Sequence, residues 1–146
     1  MITCVLREIL DNLPEEAKDS YRGHARNAEV DWQPFLRLLN NKTTQGDLST
    51  LRKLRDYLWR QAKAVQPGET QFHLGELMKK RALIQIKVAE DTGSGLVTIN
   101  RMVNNTLQRA DFRVMERLCE YLELESLEDL LDTGGLLKWT KEESED

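Results

Sequence analysis

The sequence is poor in the residues that mark several classes of protein. It has two cysteines, three prolines and 6% aromatic residues among its 146 positions. Cys4 and Cys119 occur in neither a CxxC motif nor a cysteine–histidine cluster, so we expect neither a zinc site nor a disulfide-rich secreted fold. The apolar run at residues 2–7 is too short for a signal peptide or a membrane-spanning helix. Together these absences favour a cytoplasmic protein.

An excess of positive charge is also missing. The 21 basic side chains are outnumbered by 25 acidic ones, which gives a formal net charge of −4. A strongly basic chain binds nucleic acid without regard to sequence, and this balance argues against that behaviour while allowing a local basic face. The content of 40% hydrophobic and 32% charged residues is typical of a globular chain with a true core, and it excludes wholesale disorder.

Apolar residues recur at the three- and four-residue spacing of helices, and no alternating strand pattern competes with it. We therefore predict an all-α fold. A turn-forming Pro-Gly pair divides the chain into an N-terminal helical unit at 1–66, a linker at 67–71, a second helical unit at 72–135 and an acidic tail at 136–146. The mostly charged stretch from Lys138 to Asp146 should be frayed, with Leu136, Leu137 and Trp139 packed on a neighbouring surface. The second unit should hold five helices, in which the recurring apolar spacing is carried from Leu74, Ile84, Ile99, Met115 and Leu127 onward.

The two helical units resemble each other in sequence. A shift of 64 residues aligns 37–58 with 101–122 without a gap, and the identical pairs are Arg37/Arg101, Asn40/Asn104, Asn41/Asn105, Asp47/Asp111, Leu54/Leu118, Tyr57/Tyr121 and Leu58/Leu122. Upstream, the same shift pairs Leu10 with Leu74, Leu13 with Leu77 and Ala25 with Ala89. Chance agreement between leucine-rich helices is the alternative. The paired asparagines and the gapless register favour a first unit that is a degenerate copy of the second.

The second unit contains the residue types that a helix-turn-helix needs. A small residue must lie where two helices cross, a glycine must turn the chain at positive φ, and an apolar residue must lock the following helix. Ala89, Gly93 and Ile99 occupy those positions. With Leu83, Gln85 and Arg101 in register as well, residues 74–132 resemble the lambda-repressor/Cro-type (XRE-like) helix-turn-helix DNA-binding family.

The resemblance implies a DNA-binding role for particular residues. Gln85 and Asn104 would bind phosphates, and the third helix, at 96–103, would lie in the major groove. Three residues would lie nearest the base edges and three nearer the backbone: Leu96, Val97 and Thr98, and Asn100, Arg101 and Arg109 respectively. The implied function is sequence-preferring binding to double-stranded DNA by a transcriptional regulator, a repressor that occupies its site. We expect a homodimer, because two half-sites about 34 Å apart multiply affinity; two units within one chain are an alternative route to that symmetry.

The reader positions depart from the family pattern. Leu96 and Val97 can contact a thymine methyl group but cannot make the bidentate hydrogen bonds that discriminate bases. The alternative is a protein-interaction module, an inhibitor or an adaptor, that uses an apolar recognition face. In the first unit Glu29 replaces the turn glycine, Pro34 replaces Thr98, and Trp32 begins the corresponding helix. We interpret that unit as a source of core or of a dimer surface, because a tryptophan there is more often packed than inserted in DNA.

Enzymatic chemistry finds little support in the sequence. Its two histidines, His24 and His73, have no nucleophile or metal-ligand partner at a recurring spacing. Asp-Thr-Gly occurs at 91–93 and at 132–134, as in aspartic proteases, but both copies end helical runs, where glycine is a helix stop. We predict no catalytic residue, no metal and no cofactor. Cys119 is expected to be buried, and Cys4 to be exposed.

Overall fold

The computed structural model describes residues 1–63, 65–66 and 68–140. Within them lie eight α-helices and four short strands, in the order β1 (Ile2–Cys4), α1 (Leu6–Asp11), α2 (Tyr21–Asn27), α3 (Trp32–Leu39), β2 (Gln45–Asp47), α4 (Leu48–Ala62), α5 (Leu74–Lys80), α6 (Gln85–Thr92), α7 (Leu96–Val103), β3 (Arg109–Asp111), α8 (Phe112–Tyr121) and β4 (Leu137–Trp139). None of the helices in this described part combines the length and the apolar character that crossing a bilayer requires.

The prediction of an all-α, five-helix second unit is wrong in two details. The strands are three residues long, too short for an alternating pattern to register in the sequence. The predicted fifth helix is a single 3₁₀ turn at Leu127–Asp129, with the hydroxyl of Ser126 accepting a hydrogen bond from the Glu128 amide at 3.2 Å. The chain leaves this turn because Leu131 forms an isolated antiparallel bridge with Phe72.

The two halves of the chain share element bounds at the 64-residue shift. α3 coincides with α7 from end to end, β2 coincides with β3, and α4 and α8 begin at equivalent residues. The left-handed turns and the helix caps also coincide. The left-handed positions are Glu29 and Gly93 at one turn and Asn41 and Asn105 at another, and each strand ends on an aspartate, Asp47 or Asp111, whose carboxylate accepts an amide hydrogen bond at 2.9 Å at the start of the next helix.

Upstream of α2 this register changes. α1 begins at Leu6 and α5 at Leu74, 68 positions apart, so the pairing of Leu10 with Leu74 expected from the sequence is wrong. The asparagines at the left-handed turns mark the same change, because Asn41 accepts from the Cys4 amide at 2.6 Å and Asn105 accepts from the Phe72 amide at 2.7 Å. The four extra residues of the first half lie between α1 and α2, where a 3₁₀ turn at 15–17 is inserted.

The halves join through an antiparallel pairing of β2 with β3. The register places Gln45 opposite Asp111, Gly46 opposite Ala110 and Asp47 opposite Arg109. Flanking amides continue it, since Leu48 donates to the Gln108 carbonyl at 2.9 Å and Phe112 donates to the Thr44 carbonyl at 2.8 Å. At the 64-residue shift, each of these contacts corresponds to a contact of the same set. The pairing therefore has a local two-fold axis, which passes between the buried Gly46 and Ala110.

The end of the described chain returns to its beginning. β4 pairs antiparallel with β1, with Cys4 opposite Leu137, and the Val5 amide donates to the Leu136 carbonyl at 3.0 Å. Leu136 and Leu137 are buried, so the segment predicted as an acidic tail starts inside the core, while its residues 141–146 lie outside the described part. Cys4 is buried in this pair of strands, so the expectation that it would be exposed is wrong.

A buried arginine holds the middle of the chain against the C-terminal segment. The Arg55 side chain is 1% exposed; it donates to the Gln66 carbonyl at 2.7 Å and pairs with the Asp132 carboxylate at 3.0 Å. Gly134 lies beside it at a φ of 68°, where a Cβ atom would stand 2.5 Å from the Gln66 carbonyl oxygen, so the position requires glycine. This contact covers part of the predicted linker, whose Pro67 lies outside the described residues.

Candidate nucleic-acid interface

α6 and α7 form the helix pair that the sequence indicated. Gly93 ends α6 in the left-handed conformation with a φ of 68°. Ala89 and Ile99 are 6% and 0% exposed, so the small residue of α6 and the apolar residue of α7 lie in the core between the helices. The Thr92 hydroxyl donates to the Val88 carbonyl at 2.7 Å and fixes the last turn before the glycine. α7 has the predicted bounds, 96–103.

Three amide side chains connect the start of α6 to the end of α7. Asn100 donates through Nδ2 to Oε1 of Gln85 at 3.2 Å, and Asn104 donates through Nδ2 to Oδ1 of Asn100 at 3.3 Å. We call Gln85, Asn100 and Asn104 the amide row. Asn100 and Asn104 are exposed and Gln85 is half-buried. Each amide keeps further donor and acceptor capacity for a ligand.

Exposed apolar side chains stand beside the amide row. Ile84 is 66% exposed, Ile86 56%, Leu96 46% and Val97 63%, and we call these four residues the apolar patch. The apolar spacing began the second helix at Ile84, but this residue precedes α6 as its N-cap and points to solvent. Neither Ile84 nor Ile86 was predicted to be a surface residue of the site. Their spacing of two was the available signal, since residues i and i+2 do not lie on one buried helix face.

The remaining site residues are not all in one place. Arg101 is exposed on α7 itself, and Thr98 is half-buried on the same helix. Arg109 is exposed on β3, where it lies opposite Asp47 and lines a groove shared with the N-terminal half. The structure therefore brings five of the eight predicted residues together along α7, with Asn104 at the C-terminal end of that helix, places Gln85 against them, and separates Arg109 from them.

The helix pair carries no net charge. Residues 85–103 contain Lys87 and Arg101 against Glu90 and Asp91. Lys87 pairs with Asp91 at 3.2 Å, and the Tyr121 hydroxyl also donates to Asp91 at 2.7 Å. The Tyr121 hydrogen bond and then the Lys87 ammonium lower the pKa of Asp91, and Asp91 in turn raises the pKa of Lys87. This mutual neutralisation leaves Arg101 as the cation that α6 and α7 offer to a ligand.

Two helices joined by a left-handed turn, with the second helix exposed along one side, define a helix-turn-helix domain. Residues 73–133 match the family model of the Cro/C1-type HTH DNA-binding domain, the family that the sequence resemblance implied. Domains of this type are typical of DNA-binding transcription regulators. No curated protein and no solved structure matches the chain.

Proposed function

We propose that this protein binds double-stranded DNA with a sequence preference and acts as a transcriptional regulator, a repressor that works by occupying its site. The observation that carries the proposal is the Cro/C1-type domain at 73–133, whose α7 is exposed next to the amide row. In this class of domain the second helix of the pair lies in the major groove.

The residues divide between positioning and reading. The amide row binds phosphates from the start of α6 and the end of α7 and so sets the register of the domain on the duplex, and Arg101 contributes a charged contact to the backbone. Leu96 and Val97 lie at the N-terminal end of α7, next to Thr98, where base edges are reached. Because aliphatic side chains pack against the C5-methyl group of thymine, the preference is for thymine at the contacted positions.

The N-terminal half is interpreted as a degenerate copy of the same unit. Its support is the coincidence of element bounds, left-handed turns and aspartate caps at the 64-residue shift. The sequence allowed two ways to supply a second helix-turn-helix to the DNA: a homodimer, or the two halves of one chain. The two-fold pairing of β2 with β3 supports the second route.

A second candidate function is favoured by the apolar patch. The four exposed apolar side chains of this patch also suit a protein partner, and the neutral helix pair does not attract DNA by itself. Under this interpretation the protein is a non-catalytic inhibitor or adaptor. The amide row and Arg101 would then contribute little to its binding.

Selection from a pool of random duplexes at two salt concentrations separates the two candidates. The chain is compared with Gln85→Ala/Arg101→Ala and with a matched control, Arg60→Ala/Gln61→Ala, which removes the same two side-chain types from exposed positions at the end of α4. DNA reading requires an enriched motif whose binding is weakened by salt and by the first variant but not by the control. No binding at the lower salt concentration rules out DNA reading and directs the search to a protein partner.

A further inference from the structure

The α2–α3 pair has the same backbone geometry as α6–α7, although it lies outside the segment that matches the family model. At the first turn the Val30 amide donates to the Ala25 carbonyl at 2.9 Å, and the Ser94 amide donates to the Ala89 carbonyl at 3.0 Å. After the second helix of each pair, Lys42 donates to the Arg37 carbonyl at 3.0 Å and Thr106 donates to the Arg101 carbonyl at 2.9 Å. The first half therefore presents a helix-turn-helix of its own.

The α2–α3 pair differs from the α6–α7 pair in charge. Residues 21–42 contain four Arg or Lys against two acidic residues, whereas the equivalent residues 85–106 contain two against two. Arg22 takes the place of Ile86 and lies over the Trp32 ring at 4.5 Å, which leaves its planar edge available. Arg22, Arg37 and Lys42 are exposed, and none of them forms a salt bridge with any residue that the structure describes.

A groove of about 490 Å³ continues this basic surface towards the two-fold axis. Arg37 and Lys42 line it from the first half, and Arg109 lines it from β3 of the second half. Its two carboxylates are those of Asp31 and Asp47, and Asp47 is engaged as the cap of α4 through the Ser49 and Thr50 amides. The groove thus joins cations of both halves at the place where β2 meets β3.

The two-fold axis of the β2–β3 pairing determines how the two helix pairs are oriented relative to each other. When the two-fold axis of an antiparallel strand pair passes between two facing residues, it is perpendicular to the plane of the two strands. Rotation about it exchanges the two halves, and each half stays on the same side of that plane. Because α3 and α7 keep the same bounds and the same left-handed turns relative to β2 and β3, this rotation relates them as well and leaves them on the same face of the protein. Dimeric helix-turn-helix proteins use this arrangement to bind two half-sites one helical turn apart.

We propose that the α2–α3 surface is a second DNA-contacting arm, in which Arg22, Arg37 and Lys42 bind phosphates while α7 reads bases. One chain then spans two adjacent half-sites without dimerising. The inference rests on the proposed function, because it assumes that α7 contacts DNA. It assigns to the first half an electrostatic role that does not need sequence-reading side chains, which is consistent with Pro34 at the position of Thr98.

The test uses the full chain and a duplex of about 30 base pairs that carries the enriched motif and holds two half-sites. Arg22→Ala/Arg37→Ala is compared with Arg60→Ala/Lys138→Ala, which removes two exposed cations elsewhere. Each phosphate contact contributes about 0.9 to the slope of log K against log salt, so the first variant should lower the slope by about 1.8. Between 50 and 200 mM salt, wild-type affinity should then fall about 12-fold further than that of the variant. Light scattering should find one chain per duplex.

The possible failures can be told apart. If the wild-type chain binds the duplex and the Arg22/Arg37 variant keeps the slope of the control, the second arm is disproved and the proposed function remains. Two chains per duplex also overturn the proposal, in favour of a homodimer. If the wild-type chain binds no duplex at low salt, the proposed function fails, and the second arm fails with it.

Discussion

Truncating the two reader side chains should weaken DNA binding by an amount that follows from their exposure. Full burial of a Leu or Val side chain is worth about 1.5–3 kcal/mol. Because Leu96 is 46% and Val97 63% exposed, the free area that DNA can still cover is worth about 1.6–3.3 kcal/mol for the two together. Alanine keeps the β-carbon, so Leu96→Ala/Val97→Ala should cost about 2 kcal/mol, a loss of affinity of about 30-fold.

Replacing thymine by deoxyuridine in the enriched motif provides the complementary perturbation, because it removes only the methyl group. Burial of one methyl group is worth about 0.8 kcal/mol, so each contacted thymine should account for about fourfold in affinity. Fluorescence anisotropy with labelled duplexes measures all four combinations of protein and DNA. The deoxyuridine effect should largely disappear in the Leu96→Ala/Val97→Ala variant, because the two changes remove the same contact.

Two results would refute this reasoning. Equal affinity of the wild-type chain for the thymine and deoxyuridine duplexes would show that no methyl group is contacted. A deoxyuridine effect of the same size in wild type and variant would show that methyl groups are contacted by residues other than Leu96 and Val97. Circular dichroism and thermal unfolding of the variant provide the control for folding, and no loss of stability is expected from truncating exposed side chains.

Three further predictions concern the fold. Arg55→Ala should lower the free energy of unfolding by about 3 kcal/mol in denaturant titration, because it leaves buried carbonyls and the carboxylate of Asp132 without their partner; wild-type stability in this variant would show that the contact is dispensable. Burial lowers the pKa of His24 below its usual 6.5, so below that pH the unfolded state gains a proton more readily than the folded state. Stability should therefore fall as the pH drops below about 6.5, and a His24→Gln variant with the same pH profile would contradict this assignment. Burial raises the pKa of Cys4 to about 11 and that of Cys119 to about 12, so iodoacetamide should label both thiols at pH 8 only after denaturation, and rapid labelling of either in the native state, followed by mass spectrometry, would contradict their burial.

The helix-turn-helix could be predicted from the sequence because its determinants are local. Gly93 ends α6 and fixes the turn, Ala89 and Ile99 face the core, and α7 has the bounds that the family resemblance implied. The cap at the start of α8 is equally local, since the Asp111 carboxylate accepts from amides two and three residues further along the chain. These signals all lie within one or two helical turns of the structure they specify.

The features that could not be predicted depend on contacts that are distant in sequence. The pairing of β2 with β3 joins residues about 64 positions apart through strands too short to show periodicity. Arg55 gives no sign in the sequence that its side chain is buried, because its partners at Gln66 and Asp132 are defined only by the fold. The four-residue insertion before α2 shifted the upstream register, and leucines at the spacing of helices matched equally well in the wrong alignment.

The most direct test of the central claim is a titration of the ¹⁵N-labelled full chain with the enriched duplex, followed by amide chemical shifts. If α6 and α7 are the DNA-binding surface, the largest shifts should fall at residues 84–87 and 96–104, with smaller shifts from phosphate contacts at residues 21–22 and 37–42. Shifts confined to other elements, or no shifts at low salt with a duplex in excess, would contradict the claim that this helix-turn-helix reads DNA.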